Sequence, residues 1–433
     1  MEPFTVGILG LCAIIALIAV GMPVAFGLTL VAFVGNLYFF DFTQTGARFY
    51  EAAMETSTSF VLTAVPLFIL MGQLVYVGNI GRDLYRCVHA WIGHIPGGLA
   101  VTAVMSCAGF GAVTGLSGAA VVTMGTITLP EMKRYGYDQR LATGSIAIAS
   151  TLAILIPPSL LMVIYGLWTE TSIGHLFVAG IVPGLILAAL YCGLILIRCA
   201  INPALGPVTE QRYSWGFRFA TLLYLLPIIF IFTIVIGGIY GGVFTVSEAA
   251  GMGTLAVFAT LLVMRRITWP RLSSALLQTA RLTIMILAIF IAATFFAKFL
   301  VITDVNYEAV EYIKDASLDR YVVLAIIIAV FFVLGMVLDT IGMLLLTLPL
   351  IFPVVMQLGF DPVWFGILVT LMTEVALVTP PVGFNCFIIR QISPDVALLD
   401  VFAGAVPFVM VTMLFVLALI IWPGIALWLP TTL

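Results

Sequence analysis

The sequence predicts an all-α polytopic membrane protein, built as an inverted repeat with two re-entrant hairpins and two broken helices. Three observations point there: an extreme apolar composition, a duplication of helix-breaking residues in register, and an uneven spread of basic residues between alternate loops. Of 433 residues, 63% are hydrophobic and 9% charged, against roughly 25% charged in soluble domains. So few charges cannot cover that apolar surface in water, and the bilayer is the solvent that remains. The net charge of −3 offers no basic face to a nucleic acid. Cys12, Cys87, Cys107, Cys192, Cys199 and Cys386 are scattered without a CxxC pair. They read as small core residues, not as a disulfide framework or metal site.

The duplication is carried by Gly, Pro and Asp, the residues that end or bend helices. Gly115-Leu116-Ser117-Gly118 opens an apolar run, Gly136-Tyr137-Asp138 makes a turn, and a second run ends at Ile156-Pro157-Pro158-Ser159. Adding 223 carries Ser117 to Thr340 and Pro130 to Pro353. It likewise carries Gly136 to Gly359, Asp138 to Asp361, and Pro157-Pro158 to Pro380-Pro381. With one inserted residue the agreement continues from Ala179–Pro183 to Ala403–Pro407.

In chain order, Phe4–Val20 is expected as a retained first span, since it lacks a basic leader and a small-residue cleavage site. A Gly21-Met22-Pro23 turn leads to Val24–Phe40, and the polar Asp41–Ser59 suits an interfacial helix. Phe60–Val77 crosses. Gly97–Met132, interrupted at Gly109–Gly118, has limbs too short for two crossings of about twenty residues each, so it reads as a hairpin. Leu141–Trp168 is a span broken at Pro157-Pro158, and Gly174–Ile197 crosses. The linker Asn202–Arg218 separates the halves. Ala220–Gly237, Ala249–Met264 and Gln278–Ile302 then cross, and charged Tyr307–Asp319 lies outside. Tyr321–Gln357 is the second hairpin, broken at Asp339–Gly342. Trp364–Ile389 is the second broken span, interrupted at Thr379–Gly383, and Val401–Trp428 is the last. The chain thus divides into spans 1–95, a first hairpin-bearing repeat 96–200, a linker 201–219, spans 220–318, and a second hairpin-bearing repeat 319–433.

Five crossings per half force the second half to insert upside down, and charge agrees. Short basic loops stay in the cytoplasm. The loop 131–140 carries Lys133, Arg134 and Arg140, while its repeat mate 354–363 carries no basic residue. This places both termini in the periplasm. Arg48, Lys298, Lys314 and Arg320 run against the pattern.

Irregular backbone at membrane depth persists only where protein or a water-filled cavity satisfies it. Paired prolines free carbonyls, and carbonyls with Ser and Thr hydroxyls are hard oxygen donors suited to Na⁺. Half-helix N-termini at the same place favour an anionic group. One candidate cation site combines Gly115, Ser117 and Gly118 with Ile156, Pro157 and Ser159. The other combines Asp339 or Thr340 with Thr379, Pro380, Gly383 and Asn385. Ser117, Ser159, Thr340 and Asn385 are the candidates for touching substrate. Asp339 is a costly carboxylate in a membrane segment, and Glu374 is a weaker candidate.

These segments, with Pro66-Leu67-Phe68-Ile69-Leu70-Met71-Gly72 and Thr379-Pro380-Pro381-Val382-Gly383-Phe384-Asn385, resemble the large membrane subunit of tripartite ATP-independent periplasmic (TRAP) transporters. The resemblance spans essentially the whole chain. It implies an elevator-type carrier of the bacterial inner membrane, driven by Na⁺ and needing no organic cofactor. It also implies a small four-helix membrane partner and a periplasmic binding protein delivering an organic anion, such as a C4-dicarboxylate or a sialic or sugar acid. A stand-alone Na⁺/carboxylate symporter shares the hairpin architecture. Gly-Leu-Ser-Gly also fits the nucleophile segment of rhomboid-type intramembrane proteases. That reading needs a base, and His175 is the sole histidine after Ser117.

Overall fold

The computed structural model describes residues 2–209, 212–315 and 318–432, so linker residues 210 and 211 lie outside it. Among these the regular structure is all helix, with no strand. Helices α1 (Pro3–Ala19) and α2 (Val24–Phe39) pair across the Gly21 turn, and α3 (Phe42–Ser57) follows, its N-terminus capped by Asp41. Next come α4 (Ala64–Val77) and an amphipathic helix, α5 (Ile80–Ile92), which sequence reasoning left as a loop. The first hairpin is α6 (Gly98–Thr114) and α7 (Ser117–Arg134). The first broken span is α8 (Gln139–Ala149), α9 (Leu152–Leu155) and α10 (Leu160–Thr169), followed by α11 (Ile173–Ile201).

The second half opens with the apolar stretch α12 (Trp215–Thr221), α13 (Leu226–Phe232) and α14 (Gly238–Tyr240), with a π turn at Thr233–Gly237. Then come α15 (Val246–Val263), α16 (Trp269–Ile302) and α17 (Val305–Asp315). The second hairpin is α18 (Arg320–Gly335) and α19 (Thr340–Gln357). The second broken span is α20 (Pro362–Ala376) and α21 (Phe384–Ile392), before α22 (Leu398–Ile421) and α23 (Gly424–Thr432).

The duplication is visible in the backbone. An offset of 223 superposes the bounds of α7 on those of α19, and the start of α8 on that of α20. Gly136 and Gly359 share a left-handed φ of +73°. Asp138 and Asp361 each cap the following helix, accepting from Leu141 N–H and Trp364 N–H at 2.9 Å, also 223 apart. Both Pro-Pro bonds are cis. Asp at such an N-cap accepts an otherwise orphaned N–H, so the same residue recurs where the same turn must start a helix.

Three expectations need correction. The first hairpin breaks only at Gly115-Leu116, not across Gly109–Gly118. Gly111 stays helical because its face meets α9, where an added Cβ would lie 2.5 Å from the Ala153 Cα. The last span is two helices rather than one, because Pro423 supplies no N–H to continue α22. Cys12 is exposed on α1 and Cys192 half-buried, so only the other four sit in the core. In addition, α16 begins nine residues before the expected Gln278, with Pro270 in its first turn.

Seven of the described helices are long and apolar enough to cross a membrane, or eight if the bent pair Gln139–Leu155 and Leu160–Thr169, at 43°, is one span. The basic residues that run against the charge pattern have local partners. Lys298 lies 3.4 and 3.0 Å from Glu51 and Glu55 of α3. Arg48 sits 3.9 Å from the centre of the Phe40 ring, and Arg320 covers Tyr321 and Phe360. The Lys314 side chain lies outside the described set. Two ion pairs tie the repeats together at helix ends: Lys133 of α7 with Asp395, and Arg140 of α8 with Asp400 of α22 at 2.8 Å.

Candidate functional site at the hairpin tips

The two hairpin tips and the two breaks converge. Gly115, Leu116, Ser117 and Gly118 from the first tip, and Leu338, Asp339, Thr340 and Ile341 from the second, line one cavity of about 240 Å³. The broken spans close it with Ile154, Leu160, Leu377 and Val382. Its wall is mostly hydrocarbon, with the polar groups at the tips.

Each tip is fixed to a break. Gly115 has φ +61°, and a Cβ there would collide with the Pro158 carbonyl oxygen. Only glycine brings the first tip this close to the first break. In the second half, the Val382 N–H donates to the Met336 carbonyl at 3.3 Å, and Gly383, with φ +54°, starts α21. The Leu377 carbonyl, beside the break at Pro380-Pro381, accepts from the Asn385 N–H at 3.0 Å.

The hydroxyls and amides divide differently from the symmetric expectation. The Ser117 hydroxyl donates to Asn385 Oδ1 at 3.0 Å, which joins the first tip to the second break. The Asn385 amide then donates to the Ala147 carbonyl at 3.2 Å and to Ser150 Oγ at 3.0 Å. Asn385 is fully buried, and Ser117 nearly so. The network therefore crosses between repeats. Ser159 caps α10 through Met162 N–H at 3.4 Å, and Thr379 spends its hydroxyl on the Val375 carbonyl. Asp339 is exposed, accepts from Gly342 N–H at 3.0 Å, and makes no ion pair among the described residues. Ile156 and Ser159 are buried, whereas Pro380 is open and Thr340 half-buried. Pro157 belongs to the cis bond below Gly115.

Sequence reasoning missed Ser150 and Thr151. The signal was present, because the offset of 223 carries Ser150-Thr151 onto Thr373-Glu374, the polar dipeptide of the other broken span. Glu374 is 0% exposed and neither carboxylate oxygen meets a donor among the described residues. Its repeat mate Thr151 lies beside it and donates to the Ile148 carbonyl at 2.7 Å. Ser117 faces an amide, and His175 is exposed at the start of α11, so no nucleophile–base pair forms there.

An all-helical membrane chain with broken helices around a central cavity defines the class of polytopic transporters. The crystal structure of the Alcanivorax borkumensis YdaH transporter has the same fold, with TM-score 0.60 and 14% identity over 92% of this chain and 90% of that one. Residues 11–425 match the family described as Tripartite ATP-independent periplasmic transporter, DctM component. The chain is 35% identical to the C4-dicarboxylate TRAP transporter large permease protein DctM of Pseudomonas aeruginosa, over 87% of each chain. It is 34% identical to the ectoine TRAP transporter large permease protein TeaC of Halomonas elongata, over 96% of each. This chain belongs to the DctM family of TRAP transporter large permeases.

Proposed function

We propose that this permease carries an organic anion across the bacterial inner membrane, coupled to Na⁺, by moving the two hairpins and broken spans as one body against a scaffold. The single observation that carries the reading is the meeting of both tips and both breaks on one cavity. The scaffold of this reading is 1–95 and 220–318, the moving body is 96–200 and 319–433, and both termini face the periplasm. Ser117, Asp339 and Thr340 bring hard oxygen donors to the cavity wall, which suits Na⁺, and Asn385 Oδ1 stands behind Ser117 at 3.0 Å. The N-terminus of α7 at Ser117, which carries no side-chain cap, favours the anionic group of the cargo, whereas that of α19 is already capped by the Asp339 carboxylate. A carboxylate is the group common to the C4-dicarboxylate and ectoine of the relatives, and it is the cargo class assigned here. A small membrane subunit and a periplasmic binding protein complete the assembly.

The test is uptake into proteoliposomes holding this chain and its small subunit, with a panel of organic acids. The proposal expects uptake that needs both an inward Na⁺ gradient and a binding protein. Uptake without a binding protein would make the chain a stand-alone symporter. Uptake indifferent to Na⁺ would remove the cation sites.

A further inference from the structure

A second pocket lies apart from the hairpin-tip cavity, between the first hairpin and its neighbours. It has a volume of about 360 Å³ and is walled by Tyr76, Asn79 and Arg82 on one side, Thr123 and Thr126 of α7 on another, and Arg271 of α16 on the third. Its charge is uncompensated. Among the described residues the Arg82 side chain makes no ion pair or hydrogen bond, and that of Arg271 has only the Arg266 carbonyl at 2.8 Å. The nearby Asp83 carboxylate is already engaged by Arg266. Thr123 is 8% exposed, and its hydroxyl has no partner.

The backbone adds to this. Asn79, at the N-cap of α5, is held at φ 56° and sets Arg82 in the first turn, where the Arg82 N–H donates to the Asn79 carbonyl at 3.2 Å. An arginine in the first turn works against the helix dipole, which makes its placement there a cost to α5 taken alone. Gly81 lets that turn press on the hairpin, where an added Cβ would lie 2.7 Å from Thr123 Cγ2. Two guanidinium groups without a carboxylate partner and an unpartnered threonine hydroxyl around one space are the donor set of an oxyanion site.

We propose that this pocket binds an oxyanion, a carboxylate or phosphate group, between Arg82 and Arg271. Such a group has two sources: a small soluble anion, or the headgroup of an anionic phospholipid, since basic pockets between membrane helices take lipid phosphates. The site bridges the moving hairpin and its surroundings, so occupancy would hold the two together.

The test uses the purified full-length chain. Thermal unfolding is followed in neutral detergent with succinate or inorganic phosphate, and in nanodiscs of phosphatidylcholine with and without phosphatidylglycerol. Arg82→Ala/Arg271→Ala is compared with Arg82→Lys/Arg271→Lys, both at exposed positions that leave the fold intact. The proposal expects at least one probe to stabilise the wild type. Its half-saturating concentration should rise roughly tenfold or more for each arginine removed, by the strength of charge-assisted hydrogen bonds, with the lysine pair in between. Stabilisation by succinate or phosphate identifies a soluble anion, and stabilisation by phosphatidylglycerol alone identifies a lipid. Equal responses of the wild type and the alanine pair to every probe would overturn the proposal.

Discussion

The contact between Ser117 and Asn385 makes a quantitative claim about how the two repeats hold together. Ser117→Ala removes one buried hydrogen bond, at 3.0 Å, and leaves Asn385 Oδ1 without its donor. The expected loss is about 1–2 kcal/mol. Asn385→Ala removes three contacts, to Ser117, Ala147 and Ser150. The Ala147 carbonyl stays satisfied, because Ser150 Oγ also donates to it at 2.8 Å. The expected loss is therefore near the sum of three net hydrogen bonds, about 3 kcal/mol. The double variant should lose about 1 kcal/mol less than the two singles together, since the shared bond counts once. The assay is reversible unfolding of the purified protein in mixed micelles, read as a double-mutant cycle. Strict additivity would mean that Ser117 and Asn385 do not meet, and the cross-repeat network would fall with it.

Other predictions separate structural from functional roles. Asp339→Asn should keep the α19 cap and cost little stability, whereas Asp339→Ala should cost about 1 kcal/mol; if Asp339 also binds Na⁺, the Asn variant shows weakened Na⁺ dependence of uptake at unchanged stability. Gly115→Ala should abolish uptake, because the Cβ meets the Pro158 carbonyl. Gly136→Ala has the same left-handed backbone in open space, so it should cost only about 1 kcal/mol and leave uptake intact. Glu374→Gln should unfold no earlier than wild type at pH 8, as a buried carboxylate without donors gains nothing from its charge. At the packed face of α5, burial pushes His89 below its usual range against the pull of Glu131. A lowered pKa gives stability that is complete above the unfolded value of about 6.5 and declines as pH falls through the folded one. His89→Gln should flatten the unfolding temperature between pH 7 and 5.

The duplication was legible because Gly, Pro and Asp report local backbone geometry, and local geometry is written beside itself in the chain. Asp138 and Asp361 cap helices starting 223 residues apart, and each Pro-Pro pair sits in a break. The pairing of Ser117 with Asn385 was not legible, because nothing local tells a hydroxyl which distant amide it will meet. Symmetry assigned each tip to the break of its own repeat, as Gly115 against Pro158 and Val382 against Met336 show, but it says nothing of a bond that crosses between repeats. Helix α5 was missed because Arg82 and Arg86 on its exposed face and Asp83 on its buried one read as a charged loop, and the start of α16 because Arg271, Ser273 and Ser274 look like a loop. Glycines in α6 were misread as a bend, since sequence cannot distinguish a glycine that turns from one that lets a neighbour approach.

The two halves exchange partners, and that bears on how the protein is made. Ser117 waits for Asn385, 268 residues later, and Arg140 waits for Asp400, 260 residues later. Helix α8 reaches α22 through Gly144, where any Cβ would collide with the backbone of Gly404. While the second half is still being synthesised, the first sits in the membrane with the Ser117 hydroxyl lacking its amide partner and α8 lacking the surface it packs on. Such long-range closure comes late in folding. A gene cut at the 201–219 linker should therefore yield two fragments that are each short-lived alone and survive only when expressed together.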